Sequence, residues 1–170
     1  MDTNLVNEIN RTFDDLIKTF ESFTEEQVDQ IPFEKSWTAG QVAEHIIKSI
    51  SNLPKFFNEN VEPVQGRPFD LHVKQLEQIF LDFTSKFQSP DFILPEKTHH
   101  DKEQALQSFK RIRQEMIDAA SNLDLSMDCK SFEFPGFGSM TRFEWLNFFI
   151  VHTKRHTHQL KNILKAVNAR

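Results

Sequence analysis

Apolar residues recur at helical spacing along four long stretches of the chain. Leu5, Val6, Ile9, Phe13, Leu16, Ile17 and Phe20 mark a helix over about 3–21, with Asp2 or Thr3 as its cap. A short helical turn follows at 23–27, and 33–37 reads as a loop. A second long helix starts at Thr38, where Gln41 three residues on completes a capping box. Its stripe is Val42, Ile46, Ile50, Leu53 and Phe57, and Pro54 should bend or shorten it. The stretch 61–69, with Pro63, Gly66 and Pro68, reads as a loop.

Leu71, Leu76, Ile79, Phe80, Phe83 and Phe87 predict a further helix over 70–87, stopped by Ser89-Pro90-Asp91. A polar helix over 102–123 turns Ala105, Leu106, Phe109, Ile112, Met116, Ile117 and Ala120 inward. Residues 124–140 read as irregular, and Phe134-Pro135-Gly136-Phe137-Gly138 as a turn forming part of a pocket wall; it lacks the Lys-Ser/Thr of a phosphate loop. The last helix runs from Thr141, with Glu144 in capping-box position, to about Val167. The pattern predicts an all-α fold: one domain over 1–170, a four-helix bundle with a long crossover before Lys102 and one or more short extra helices.

Composition narrows this little. The 18 Phe, 2 Trp and no Tyr announce an aromatic interior, and 4 Gly and 7 Pro are too few for a many-turned β fold. A net charge of −5 opposes a nucleic-acid partner. No apolar run is long enough to span a membrane. The N-terminus shows no signal peptide and Cys129 is the only cysteine, so a reducing, cytoplasmic setting is expected.

The chemistry concentrates on the last helix. Advancing about 100° per residue puts Trp145, Phe149, Leu160, Ile163 and Val167 on one line, with His156 inside that arc and His152 beside it. His158 falls on the opposite face. A lone histidine on an apolar face is usually a core residue with one hydrogen bond. Two, one turn apart, can converge on one ion. His45, at the border of the second helix's stripe, can face the same interior, and a three-histidine set leaves a position open. Zinc or nickel suits such donors best, then iron or manganese.

Trp37-Thr38, Glu44-His45-Ile46 and the late His152-x-x-x-His156, with Arg155 before His156, resemble the DinB-like family of four-helix-bundle metalloproteins. The resemblance implies a divalent metal on His45, His152 and His156. It also implies a small-molecule substrate and a homodimer. The reaction it suggests is either hydrolysis or transfer from a low-molecular-weight thiol such as bacillithiol, mycothiol or glutathione. The alternative is a non-catalytic, metal-stabilised bundle serving binding or dimerisation. No general base and no basic cluster suited to a thiol's carboxylates accompany the triad. Glu44 should point about 100° away from His45, as a supporting or surface carboxylate. His99 and His100 beside Asp101 read as an exposed polar turn, His72 and His158 as solvent-facing, and Phe80, Phe83 and Phe87 as core or a dimer surface.

Overall fold

The computed structural model describes residues 3–169. In chain order the helices are α1 (Thr3–Glu21), α2 (Glu25–Val28), α3 (Ala39–Ile50), α4 (Leu53–Asn58), α5 (Val73–Phe80), α6 (Lys102–Asn122) and α7 (Arg142–Asn168). A 3-10 turn covers Asp91–Ile93, and three strands are β1 (Val61–Pro63), β2 (Met127–Phe134) and β3 (Gly138–Thr141). The cap suggested at Asp2 lies outside the described residues, and Thr3 is already helical.

α1 and α3 each pack against both α6 and α7. The seam between them is apolar: Ile9, Phe13, Leu16 and Phe20 meet Ile46, Phe109, Ile112, Met116, Leu160 and Ile163, all essentially buried. At roughly 1.5–3 kcal/mol for each fully buried side chain, this seam is the main source of stability. The expected capping boxes are present. Thr38 Oγ1 accepts from Gln41 N, Gln41 Oε1 from Thr38 N, and Thr141 and Glu144 repeat the exchange at α7.

Three expectations are corrected. The fold is mostly helical but not all-α. Residues 124–140, read as irregular, form an antiparallel hairpin around Gly136 (φ 84°) and Gly138 (φ 74°), which β1 extends to the order β1-β2-β3. Cys129 and Met140 are opposite each other and buried. Pro63 is tolerated because β1 is an edge strand.

The second long helix is shortened as Pro54 suggested, breaking at Ser51–Asn52. Asn52 adopts a left-handed conformation (φ 61°) and Pro54 sits in the first turn of α4, where a missing N–H costs nothing.

The helix expected over 70–87 lasts only from Val73 to Phe80. Asp82 accepts from Thr84 N, Thr84 Oγ1 and Ser85 Oγ, a local turn that competes with helix. Arg155 of α7 captures the carbonyls of Phe80, Asp82 and Ser85. Phe83 and Phe87 are therefore neither core nor helix. They are 45% and 50% exposed.

Candidate metal centre

Three imidazoles meet between α3 and α7. The Nε2 atoms of His45 and His156 each lie 3.1 Å from Nε2 of His152. One ligand atom from each residue lies within 4.8 Å of the others. His45 is reached from α3 through its capped first turn, where the Trp37 ring packs 5.2 Å from the imidazole. His152 and His156 are successive turns of α7, and Phe148 and Phe80 flank His152. His45 and His152 are buried; His156 is partly so.

The outer ring nitrogens determine what the inner ones offer. His45 Nδ1 lies 2.9 Å from the Ile93 carbonyl, which only accepts, so Nδ1 carries the proton and Nε2 presents a lone pair. His156 Nδ1 donates to Gln159 Oε1 at 2.8 Å, with the same consequence. Two lone pairs thus point at His152 Nε2, and a proton there satisfies only one of them. His152 Nδ1 is buried without a hydrogen-bond partner.

Protonating the cluster is no remedy. Burial, then the neighbouring imidazoles, hold His152 well below the usual histidine range. Burial, then His45, pushes His156 down to about 3, and burial lowers His45. Three converging nitrogen donors with nothing to share between them fit a Lewis acid. Tetrahedral ligands at roughly 2.0–2.1 Å stand about 3.3–3.4 Å apart, close to the spacing here. Backbone and amide acceptors behind ligating histidines are the usual way to fix their tautomer.

The carbonyl of Ile93 is held in place by a second assembly. Glu44, which precedes His45 on α3 and points away from the triad, is buried and accepts from Glu96 N and Lys97 N at 3.1 Å each. It also receives His100 Nε2 at 3.0 Å and Lys48 Nζ at 3.2 Å. Burial alone would raise its carboxyl, but these bonds outweigh it and hold the pKa at about 2. His100 Nδ1 meets Asp29 at 2.6 Å, and Lys48 also donates to the Leu94 carbonyl. Segment 93–100 is thereby clamped to α3.

His100 is the functional-looking residue that sequence reasoning placed wrongly. It is buried rather than exposed, and Gly40 makes room for it. A Cβ there would lie 2.5 Å from its ring. The signal was available as a glycine in the first turn of a helix, where none is needed for geometry. Glu44, read as a supporting or surface carboxylate, supports through this clamp. His72 is half-buried against Phe137 rather than solvent-facing, because Glu144 accepts from its backbone N–H. His158 is exposed as expected, stacked on Phe83. Cys129 is buried and its thiol is pushed up to about 12 by burial, so it is no nucleophile.

The triad lies in the wall of a large open cavity of about 1480 Å³. Phe134, Pro135 and Phe137 of the β2–β3 hairpin form part of its wall, as the sequence suggested. Among the described residues no helix is long and apolar enough to cross a membrane.

The fold and the cluster together define a helical-bundle protein with three buried-to-half-buried histidines opening on a cavity. The chain belongs to the DinB superfamily, whose family model matches residues 8–160. It is 22% identical over 148 residues to the uncharacterized protein YuaE of Bacillus subtilis (strain 168), covering 85% of this chain and 87% of that one. Its fold resembles that of YfiT from Bacillus subtilis, with a TM-score of 0.62 and 14% identity over 97% of this chain and 86% of that chain. YfiT is described as a probable metal-dependent hydrolase with an unusual four-helix bundle topology.

Proposed function

We propose that His45, His152 and His156 hold one divalent cation and that the protein is a metal-dependent hydrolase of a small molecule. The observation that carries this is the pair of fixed tautomers, with Ile93 and Gln159 turning the Nε2 lone pairs of His45 and His156 toward His152. The description of YfiT as a probable metal-dependent hydrolase supports the same reading. Three imidazoles suit zinc or nickel first, with iron or manganese next.

Such an ion supplies Lewis acidity, polarising a substrate carbonyl or lowering the pKa of water. The chain's own residues do the rest. Ile93 and Gln159 orient two ligands. Phe148 and Phe80 exclude water behind His152. Arg155 holds segment 80–85 beside the site. The acidic residues of the cavity wall, Glu34 and Glu59, are not hydrogen-bonded to the triad.

The test is metal content by mass spectrometry on tag-free protein, with ester and amide turnover measured in parallel. About one ion per chain is expected in the wild type. His45→Ala, His152→Ala and His156→Ala should each lose it, together with turnover. Metal content unchanged in all three variants would overturn the site. A filled site without turnover, with only the melting temperature falling on chelation, would instead establish a metal-stabilised bundle.

A further inference from the structure

We infer that the cavity beside the triad takes a neutral substrate with an aryl or alkyl body, presenting its hydrolysable group to the histidines. This rests on the proposed hydrolase reading for the position of the reacting group, but the binding claim stands on the cavity itself.

The first observation is where the aromatic residues are. Of the 18 Phe and 2 Trp in the chain, thirteen line this one cavity. Trp37, Phe56, Phe80, Phe132, Phe134 and Phe148 form its inner wall around the histidines, none of them more than half exposed. Phe33, Phe83, Phe87 and Phe92 also line it, at 49%, 45%, 50% and 66% exposure. Leaving four large rings this open is costly in water unless something apolar covers them in use.

The second observation is charge. Lys48 and Arg155 are the cations contributed to the lining by the two helices that carry the triad, and both are already occupied. Lys48 is held by Leu94 O, Glu44 and Glu96. Arg155 is spent on the carbonyls of Phe80, Asp82 and Ser85, with its guanidinium 4.7 Å over the Phe87 ring. Lys35, Lys55 and Lys86, the other cations of the lining, are exposed to solvent. Away from the proposed ion, a phosphate or the carboxylates of a thiol would have to be desolvated against rings, with no fixed side-chain cation to receive them. A neutral apolar body has no such cost, and its burial is favourable by about 25 cal/mol per Å². The same reasoning disfavours a thiol of the glutathione type as co-substrate.

The probe is N-phenyl-1-naphthylamine, a neutral aryl dye that fluoresces in apolar surroundings, titrated into metal-free and metal-loaded wild-type protein. Saturable binding is expected in both. Displacement should follow 1-octanol and not glutathione or inorganic phosphate. The double variant Phe87→Ser/Phe92→Ser removes two exposed rings without touching the core. It should weaken dye binding by about tenfold, as expected for losing roughly 1.4 kcal/mol of apolar contact, with an unchanged melting temperature. Absent dye binding, displacement by glutathione or phosphate as effective as by octanol, or an unaffected double variant would each overturn the inference. A self-associated form that excludes the dye would do the same and assign these rings to a second copy. Because the dye is read without metal, failure of the metal site leaves this result standing, and failure of dye binding leaves the metal result standing.

Discussion

Two groups of histidine pack against different faces of α3, and they differ in what surrounds the ring nitrogens. His100 has a carboxylate at each nitrogen, Asp29 at 2.6 Å and Glu44 at 3.0 Å, so a proton on either side is matched. His45, His152 and His156 face one another, with two lone pairs directed at a third nitrogen. The first arrangement is complete as it stands and works as a clamp. The second leaves a lone pair unmatched among its own nitrogens, which suits the proposed electron-pair acceptor. Burial of a histidine therefore says little about function until the partner of each ring nitrogen is identified.

That contrast predicts opposite responses, beginning with the largest. Chelation should destabilise wild-type protein by about 4 kcal/mol, if the ion is present at roughly a thousandfold over its dissociation constant, and should leave His152→Leu unaffected. Calorimetric melts with and without EDTA measure this; equal shifts in both proteins would remove the triad from the account.

Next, the same Leu substitution should have opposite effects on the two groups in metal-free protein. His100→Leu takes one hydrogen bond from each of the Asp29 and Glu44 carboxylates and should cost about 3 kcal/mol, discounted for the part of Asp29 that water reaches. His152→Leu removes an unmatched polar group and should be neutral or stabilising by about 1 kcal/mol. Urea titrations compare them, and destabilisation of similar size in both would erase the distinction.

Gly40→Ala is a smaller perturbation of the clamp. Alanine is about 1 kcal/mol the better helix former, but its Cβ must displace a buried ring from 2.5 Å. A net loss of about 1–2 kcal/mol is expected. A gain in stability would show that His100 moves aside freely.

Acid separates the two groups by pH window. The triad histidines are neutral in the fold and protonate in the unfolded chain, so metal-free stability falls as pH drops below about 6.5, and for His156 continues to fall to about 3. Glu44 is ionised in the fold down to about 2, so its contribution is present above 4.5 and lost only between 4.5 and 2. Melting temperature against pH should therefore show a loss beginning near 6.5 that His152→Leu reduces, and a later one that it leaves alone.

Gln159→Leu takes the acceptor from His156 Nδ1 while leaving all three proposed ligands. Metal affinity should fall about tenfold, or 1.4 kcal/mol. Competition with a fluorescent zinc chelator reads it, and unaltered affinity would mean that Gln159 does not orient the ring.

Much of this was legible in the chain. Helical periodicity is written by local spacing, so α1, α3, α6 and α7 could be read directly, as could the Thr38 and Thr141 caps, whose hydrogen bonds span only three residues. The common face of His152 and His156 follows from one helix turn, and the exposure of His158 from the same wheel. Three things were decided by tertiary structure. The hairpin of β2 and β3 gains a third strand because β1, more than sixty residues away in sequence, pairs with residues 127–129. Residues 81–87 leave the helical path because Arg155, equally remote, takes their carbonyls. His100 is buried because Asp29, Gly40 and Glu44 converge on it from three other positions. In each case a partner distant along the chain contributes to the outcome, and a local pattern carries no record of a contact that only folding creates.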